Sequence, residues 1–161
     1  MTNTAVLITG GNMGDRRANL ETAANLIAER IGPIKKSSKI YETEAWGITN
    51  QPAFYNQVLV VRTIMSPRKV LDSILEIEAE MGRKRTIKNA ARVIDIDILF
   101  FNDDIVNEQN LQIPHPHISD RRFVLLPLNE VDAEKNHPVL KKSMRQLLAM
   151  TSDQLKVTPV D

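Results

Sequence analysis

The chain has 161 residues, 42% of them apolar and 25% charged, with 21 Lys+Arg against 20 Asp+Glu and no cysteine. Length and composition predict one globular domain over residues 1–161 and exclude a disordered chain. The near-balanced charge argues against a protein built to wrap DNA or lie on an anionic membrane. The missing cysteines exclude disulfides, thiolate zinc sites and a cysteine nucleophile, and fit a reducing, cytoplasmic setting.

The N-terminal stretch Met1–Gly11 lacks the basic start of a signal peptide. Apolar runs such as Val58–Val61 and Phe123–Pro127 are far shorter than the roughly 20 residues that span a bilayer. No internal repeat or flexible linker divides the chain. In chain order, Val6–Thr9 reads as a buried strand that ends at Gly10-Gly11. A helix follows from Asp15, with Leu20, Ala23, Ala24, Ile27 and Ile31 at helical spacing and Gly32-Pro33 as its stop. Ile34–Thr43 is expected as one strand, Glu44–Pro52 as a loop and Phe54–Ile64 as a central strand.

Ser66-Pro67 is an N-cap followed by proline at the first helical position. Val70, Leu71, Ile74, Ile77 and Met81 then form one stripe, and Gly82 closes the helix. A basic loop runs from Arg83 to Arg92. Val93–Phe101 is predicted as a strand and Asn102–Asp104 as a turn. Ser119 is placed as the cap of a short helix through Phe123–Leu126, and Ser143–Met150 as the last helix. The core order strand, helix, strand, strand, helix, strand suits a ferredoxin-like α+β fold, an antiparallel sheet with two helices on one face and a short C-terminal extension.

The sharpest chemical feature is the strand around Asp95 and Asp97. Side chains alternate with a period of two, so Ile94, Ile96, Ile98 and Phe100 share the face expected to pack on helices. Asp95 and Asp97 share the other, with Cα atoms roughly 6.5 Å apart. Two carboxylates so placed can hold one or two hard cations, and oxygen-only ligands favour Mg²⁺ over zinc. The plainer alternative is an amphipathic strand with a wet face.

Upstream lie Arg83, Lys84, Arg85, Lys88 and Arg92, with no acid between residues 83 and 92. A carboxylate pair beside a basic loop suits a triphosphate, because metal and arginine can share its charge. By itself the loop reads better as a solvated segment that could touch RNA; beside Asp95 and Asp97 the phosphate reading gains. His115 and His117 have no evident third metal ligand, so a hydrogen bond to phosphate suits them better than zinc. A plain surface role is the alternative, and it is the reading for His137. The turn Gly10–Gly14 matches neither the dinucleotide glycine fingerprint nor the Walker pattern and reads as a tight strand-to-helix turn. Phe54 and Asn56 fall on one strand face and could hold a flat heterocycle, although a core Phe beside a surface Asn is the commoner case.

These segments, in this order, resemble the 6-hydroxymethyl-7,8-dihydropterin pyrophosphokinase family. The most specific stretch is Lys88-Asn-Ala-Ala-Arg92-Val-Ile-Asp95-Ile-Asp97-Ile-Leu99. Gly11-Asn12, Tyr41-Glu-Thr43, Gln51-Pro-Ala-Phe54-Tyr-Asn56, Glu78 with Gly82-Arg83-Lys-Arg85, and Pro114-His115 with Arg121-Arg-Phe123 support it.

The resemblance implies transfer of pyrophosphate from ATP to the hydroxymethyl group of a reduced pterin, with release of AMP, by a monomeric Mg²⁺ enzyme that needs neither nucleic acid nor membrane. It implies two Mg²⁺ ions on Asp95 and Asp97, with Asp95 also near the pterin and Asp97 a candidate acceptor of the hydroxyl proton. It makes Arg83 and Arg92 the catalytic arginines, and puts Glu78, Arg85, Arg92, Ile98, His115 and Arg121 along the nucleotide. Phe54 and Phe123 would sandwich the pterin ring, with Thr43, Asn56 and the backbone near Ala45 and Trp46 at its edge. The sequence departs from the family pattern at Asn89-Ala90-Ala91, where many members carry Trp-Gly-Pro, at Pro116, where some have tyrosine, and at Asn110, where some have arginine. Two alternatives remain at this stage. One is a ferredoxin-like RNA-binding module, which needs exposed aromatics on its central strands. The other is a two-metal nuclease or nucleotidyl transferase, for which Glu78 is the nearest third carboxylate.

Overall fold

The computed structural model describes residues 2–43, 52–82 and 93–160. Its elements are β1 (Asn3–Gly11), α1 (Arg16–Arg30), β2 (Ile34–Ser37), β3 (Ile40–Thr43), β4 (Phe54–Thr63), α2 (Pro67–Glu80), β5 (Asp95–Phe101), β6 (Val106–Glu108), β7 (Leu111–Ile113), α3 (Arg122–Asp132), α4 (Met144–Met150) and β8 (Val157–Val160). The main sheet runs β5-β1-β4-β3-β8, with β2 also on β4, and β6 pairs with β7 in a separate hairpin. All of these pairings are antiparallel. The first helical and strand units therefore arrange as the ferredoxin-like order predicts, and β8 adds the C-terminal extension as an edge strand.

Helices cover both faces, not one. Buried Ala5 and Leu7 of β1, Leu59 and Val61 of β4, and Ile96 and Ile98 of β5 pack with Leu20, Ala23 and Ile27 of α1 and Val70, Ile74 and Ile77 of α2. Val6, Ile8 and Val58 point the other way, into a second core with Val124, Leu125 and Leu128 of α3 and Met144 and Leu147 of α4. The cause is in β1. Its Ala5–Ile8 run is apolar at every position, so both faces need cover.

The α2 start is as predicted: the Ser66 hydroxyl accepts from Lys69 N at 3.3 Å, with Pro67 following. Ile34–Thr43, however, is two strands. Ser38 breaks it, because its Oγ accepts from Val58 N at 2.9 Å and donates to Lys39 O at 2.7 Å. The side chain thus replaces a ladder partner and inserts an irregularity. The α3 helix is longer than predicted and Ser119 does not cap it. The backbone N of Arg122 instead donates to Asp153 Oδ2 at 2.8 Å, an acceptor 31 residues downstream. His137 is not a surface residue. It is 6% exposed, and its Nδ1 accepts from Val139 N at 3.1 Å and Leu140 N at 3.0 Å. Burial, then the Lys135 charge, lowers its pKa.

Candidate active site

The β5 strand departs from strict alternation in a way that shapes the site. Its pairing with β1 shifts register between Val6 and Leu7, so that Ile98 opposes Leu7 and Phe100 opposes Val6. Leu99 is the extra residue of a bulge. Phe100 consequently joins the α3–α4 core, while Phe101 takes the α1–α2 side. The expectation that Phe100 shares a face with Ile94, Ile96 and Ile98 fails for this reason. Ahead of the bulge the alternation holds: Ile94, Ile96 and Ile98 enter the α1–α2 core, and Asp95 and Asp97 face the opposite side, both half-buried.

Register then places a row of chemistry on the α3 side of the sheet. Thr43 opposes Phe54, Tyr41 opposes Asn56, Asn56 opposes Gly10, and Gly10 opposes Asp95. Asp97 follows opposite Ile8. The predicted pairing of Phe54 with Asn56 on one face is present, and Asn56 is buried rather than on the surface. Two strand spacings separate Asn56 from Asp95, about 10 Å between backbones. Only Gly10 lies between them.

Gly10 is not part of a turn. It and Gly11 end β1. A Cβ on Gly10 would lie 2.0 Å from Asn56 Nδ2, so the missing side chain makes room for the carboxamide. Asn56 Nδ2 donates to Thr9 O at 3.3 Å. Sequence reasoning missed this use of Gly10, because it depends on a cross-strand neighbour 46 positions away. Thr43 is 3% exposed, and among the described residues its Oγ1 is buried without a hydrogen-bond partner. An unsatisfied buried hydroxyl costs about 1–3 kcal/mol, which a polar ligand edge would offset.

Other predicted residues border this row. Phe123 lies in the first turn of α3 and packs partly into the core on the same side. The Arg121 guanidinium carbon is 5.7 Å from its ring centre. His115 is tied to the β5 bulge by a backbone bond from its N to Leu99 O at 3.0 Å. Burial, then the charges of Arg121 and His117, push His115 down to about 4, against smaller pulls from Asp95 and Asp120. It is therefore neutral near pH 7. Its Nδ1 accepts from His117 N at 3.1 Å, leaving Nε2 as the proton-bearing donor. His117 is exposed and meets Asp120 at 3.2 Å.

Glu78 lies buried in the last turn of α2, and its Oε2 accepts from Ile96 N at 2.8 Å. It thus holds the strand between the two aspartates. Ile98 buries its side chain on the α1–α2 side, leaving only its main chain for a nucleotide. Ala45, Trp46, Arg83, Arg85 and Arg92 lie outside the described residues.

The alternatives lose ground on this geometry. An RNA platform needs exposed aromatics on an open sheet face, and α3 with α4 covers part of this one. A three-carboxylate centre needs Glu78, which serves the Ile96 amide. Among the described residues no group of three or more His, Cys, Asp or Glu could hold a metal ion. Two same-face carboxylates, in a chain without cysteine, still fit Mg²⁺, which commonly takes one or two carboxylates and completes its shell with phosphate and water. No described helix is long and apolar enough to cross a membrane.

Comparison with known proteins adds the following. Residues 6–133 match the family described as 7,8-dihydro-6-hydroxymethylpterin-pyrophosphokinase. The chain is 37% identical over 143 residues to the 2-amino-4-hydroxy-6-hydroxymethyldihydropteridine pyrophosphokinase of Aquifex aeolicus, covering 89% of each. It is 36% identical over 132 residues to the protein of the same name from Bacillus subtilis, covering 81% of this chain and 79% of that one. In structure it resembles a Plasmodium falciparum HPPK-DHPS crystal structure with a TM-score of 0.77 at 24% identity. That match covers 92% of this chain but 45% of the larger protein, and it speaks to the fold.

Proposed function

The chain belongs to the 7,8-dihydro-6-hydroxymethylpterin-pyrophosphokinase family, and we propose that the α3-side row of residues divides the family's reaction between its two ends. The protein is an ATP-dependent diphosphotransferase of folate biosynthesis. It transfers pyrophosphate from ATP to the hydroxymethyl group of 6-hydroxymethyl-7,8-dihydropterin, giving the pterin diphosphate and AMP. The hydroxymethyl oxygen forms a bond to the β-phosphorus, and the bond from that phosphorus to the AMP oxygen breaks.

The observation that carries the assignment is the shared row Thr43–Phe54, Asn56, Gly10 and Asp95 on one sheet face. Phe54 and Phe123 hold the ring, and Thr43 and Asn56 bond its polar edge. The Thr43 hydroxyl, without a hydrogen-bond partner among the described residues, supports that role. The backbone near Ala45 and Trp46 completes the pterin edge. Asp95 and Asp97 stand at the reacting end and would hold two Mg²⁺ ions. Bound there, Mg²⁺ neutralises phosphate charge and lowers the pKa of an attacking hydroxyl.

Neutral His115 offers its Nε2 proton to a phosphate oxygen, and Arg121 adds positive charge beside it. Glu78, Arg85 and the Ile98 main chain line the nucleotide. Glu78 does so while fixing the strand that carries both aspartates. Arg83 and Arg92 neutralise charge that grows on the leaving oxygen. All these groups belong to one chain, which suits a monomer, and ATP with a reduced pterin as substrates suits a cytoplasmic setting.

The test is nucleotide product analysis with Mg-ATP, with and without the pterin. AMP formed in step with a pterin diphosphate supports the reading. ADP, or AMP release that ignores the pterin, refutes it.

A further inference from the structure

Behind the strands that carry Thr43 and Phe54, on the α1 side of the sheet, stands Arg16. It opens α1 one residue after the Asp15 N-cap, whose side chain accepts from Ala18 N at 3.0 Å, so its backbone is well anchored. Nη1 of Arg16 donates to Ala53 O at 2.8 Å and reaches Glu42 Oε2 at 3.4 Å. The guanidinium carbon also lies 4.0 Å from the centre of the Tyr55 ring.

Its three partners are chain neighbours of the two proposed pterin contacts. Ala53 and Tyr55 flank Phe54, and Glu42 precedes Thr43. Glu42 opposes Tyr55 and Thr43 opposes Phe54, which is the last pair of this ladder. Alternation sends Glu42 and Tyr55 to the α1 side and Thr43 and Phe54 to the α3 side. The Ala53 carbonyl lies just past the ladder's end, and Arg16 supplies a donor there. One planar cation thus grips both strands where their pairing stops. A guanidinium can stack on a ring and donate in its own plane at the same time, which an ammonium cannot.

We propose that Arg16 is a positioning residue for pterin binding: it fixes, from behind the sheet, the strand ends that present Thr43 and Phe54. The proposal rests on the assignment of those two residues to the pterin. The ion pair itself contributes little, because its side chains are 27% and 42% exposed. The effect lies with the Ala53 carbonyl bond and the stack on Tyr55.

The experiment is steady-state kinetics on Arg16→Ala, Arg16→Lys, Glu42→Gln and Asn56→Ala, each checked for folding by thermal melting. Arg16→Ala is expected to raise KM for the pterin about tenfold, or ~1.4 kcal/mol, with KM for ATP within about twofold. The lysine variant keeps the charge but not the fork, and should sit between, near threefold. It also carries the test if the alanine variant does not fold. Glu42→Gln should stay within about twofold of the parent, as a weak exposed pair implies. A pterin KM unchanged in the Arg16 variants, or ATP and pterin KM rising together, overturns the proposal. If Asn56→Ala weakens pterin binding while the Arg16 variants do not, the positioning role alone falls. If none of them affects the pterin, the pocket assignment falls with it.

Discussion

The two faces of the sheet use the same strands for different ends. Toward α1 and α2, Leu7, Leu59, Val61, Ile96 and Ile98 present an apolar surface to helices with matching stripes. Toward α3 and α4, apolar packing by Val6, Ile8, Val58 and Phe100 stops partway along the strands. Beyond it the same face carries Thr43, Phe54, Asn56, Asp95 and Asp97 around the gap at Gly10. One face is core along its length, and the other is core at one end and carries the proposed site at the other. A strand buried on both sides can hold two carboxylates rigidly because the opposite face of each strand is locked in a core. Glu78 adds to this by bonding the Ile96 amide between them.

Substitutions on the two faces should therefore separate activity from stability. The largest effect is expected for Asp97→Ala, which should cut kcat by a thousandfold or more, ~4 kcal/mol, with little change in the melting temperature. Activity near that of the parent would remove Asp97 from the centre. Leu7→Ala, wholly buried on the other side, should lose about 3 kcal/mol of stability by denaturant unfolding, with pterin KM unchanged in the folded fraction. Gly10→Ala puts a methyl group where the Asn56 carboxamide lies. It should weaken pterin binding about tenfold, ~1.4 kcal/mol, while nucleotide binding, measured by titration, stays intact.

The smallest effect concerns acidity. The folded form holds His115 at about 4, whereas an unfolded histidine titrates near about 6.5. Between those values the unfolded chain binds the extra proton, so stability falls as pH drops from about 6.5 to about 4. His115→Gln removes that contribution. Its unfolding free energy should lose less over this window than the parent's, and parallel curves would contradict the assignment.

Much of this was open to sequence reasoning where the signal is local. Ser66-Pro67 marks the α2 start, and the Val70–Ile77 spacing marks its buried stripe. The period of two around Asp95 and Asp97 separates them from Ile94 and Ile96. What escaped depends on partners distant in the chain. The bulge at Leu99 answers to the register of β1, and the break at Ser38 to a hydroxyl bond with Val58. The α3 cap comes from Asp153, and the burial of His137 from a turn folded against Phe100, whose ring lies 5.6 Å from the imidazole. The place of Gly10 is of the same kind, since its value is the space it leaves for Asn56. Arg16 is of this kind too: in sequence it is one arginine in a polar helix start, and its partners lie far along the chain. The family resemblance carried the site beyond what these patterns alone support.

The most direct measurement is a crystal structure of the protein with the pterin, a non-hydrolysable ATP analogue and Mg²⁺. The account predicts the ring between Phe54 and Phe123, Thr43 Oγ1 and the Asn56 carboxamide bonded to its edge, and the hydroxymethyl group directed at Asp95 and Asp97. A pterin bound away from that row, or reversed so that its hydroxymethyl group points toward Thr43, would contradict it.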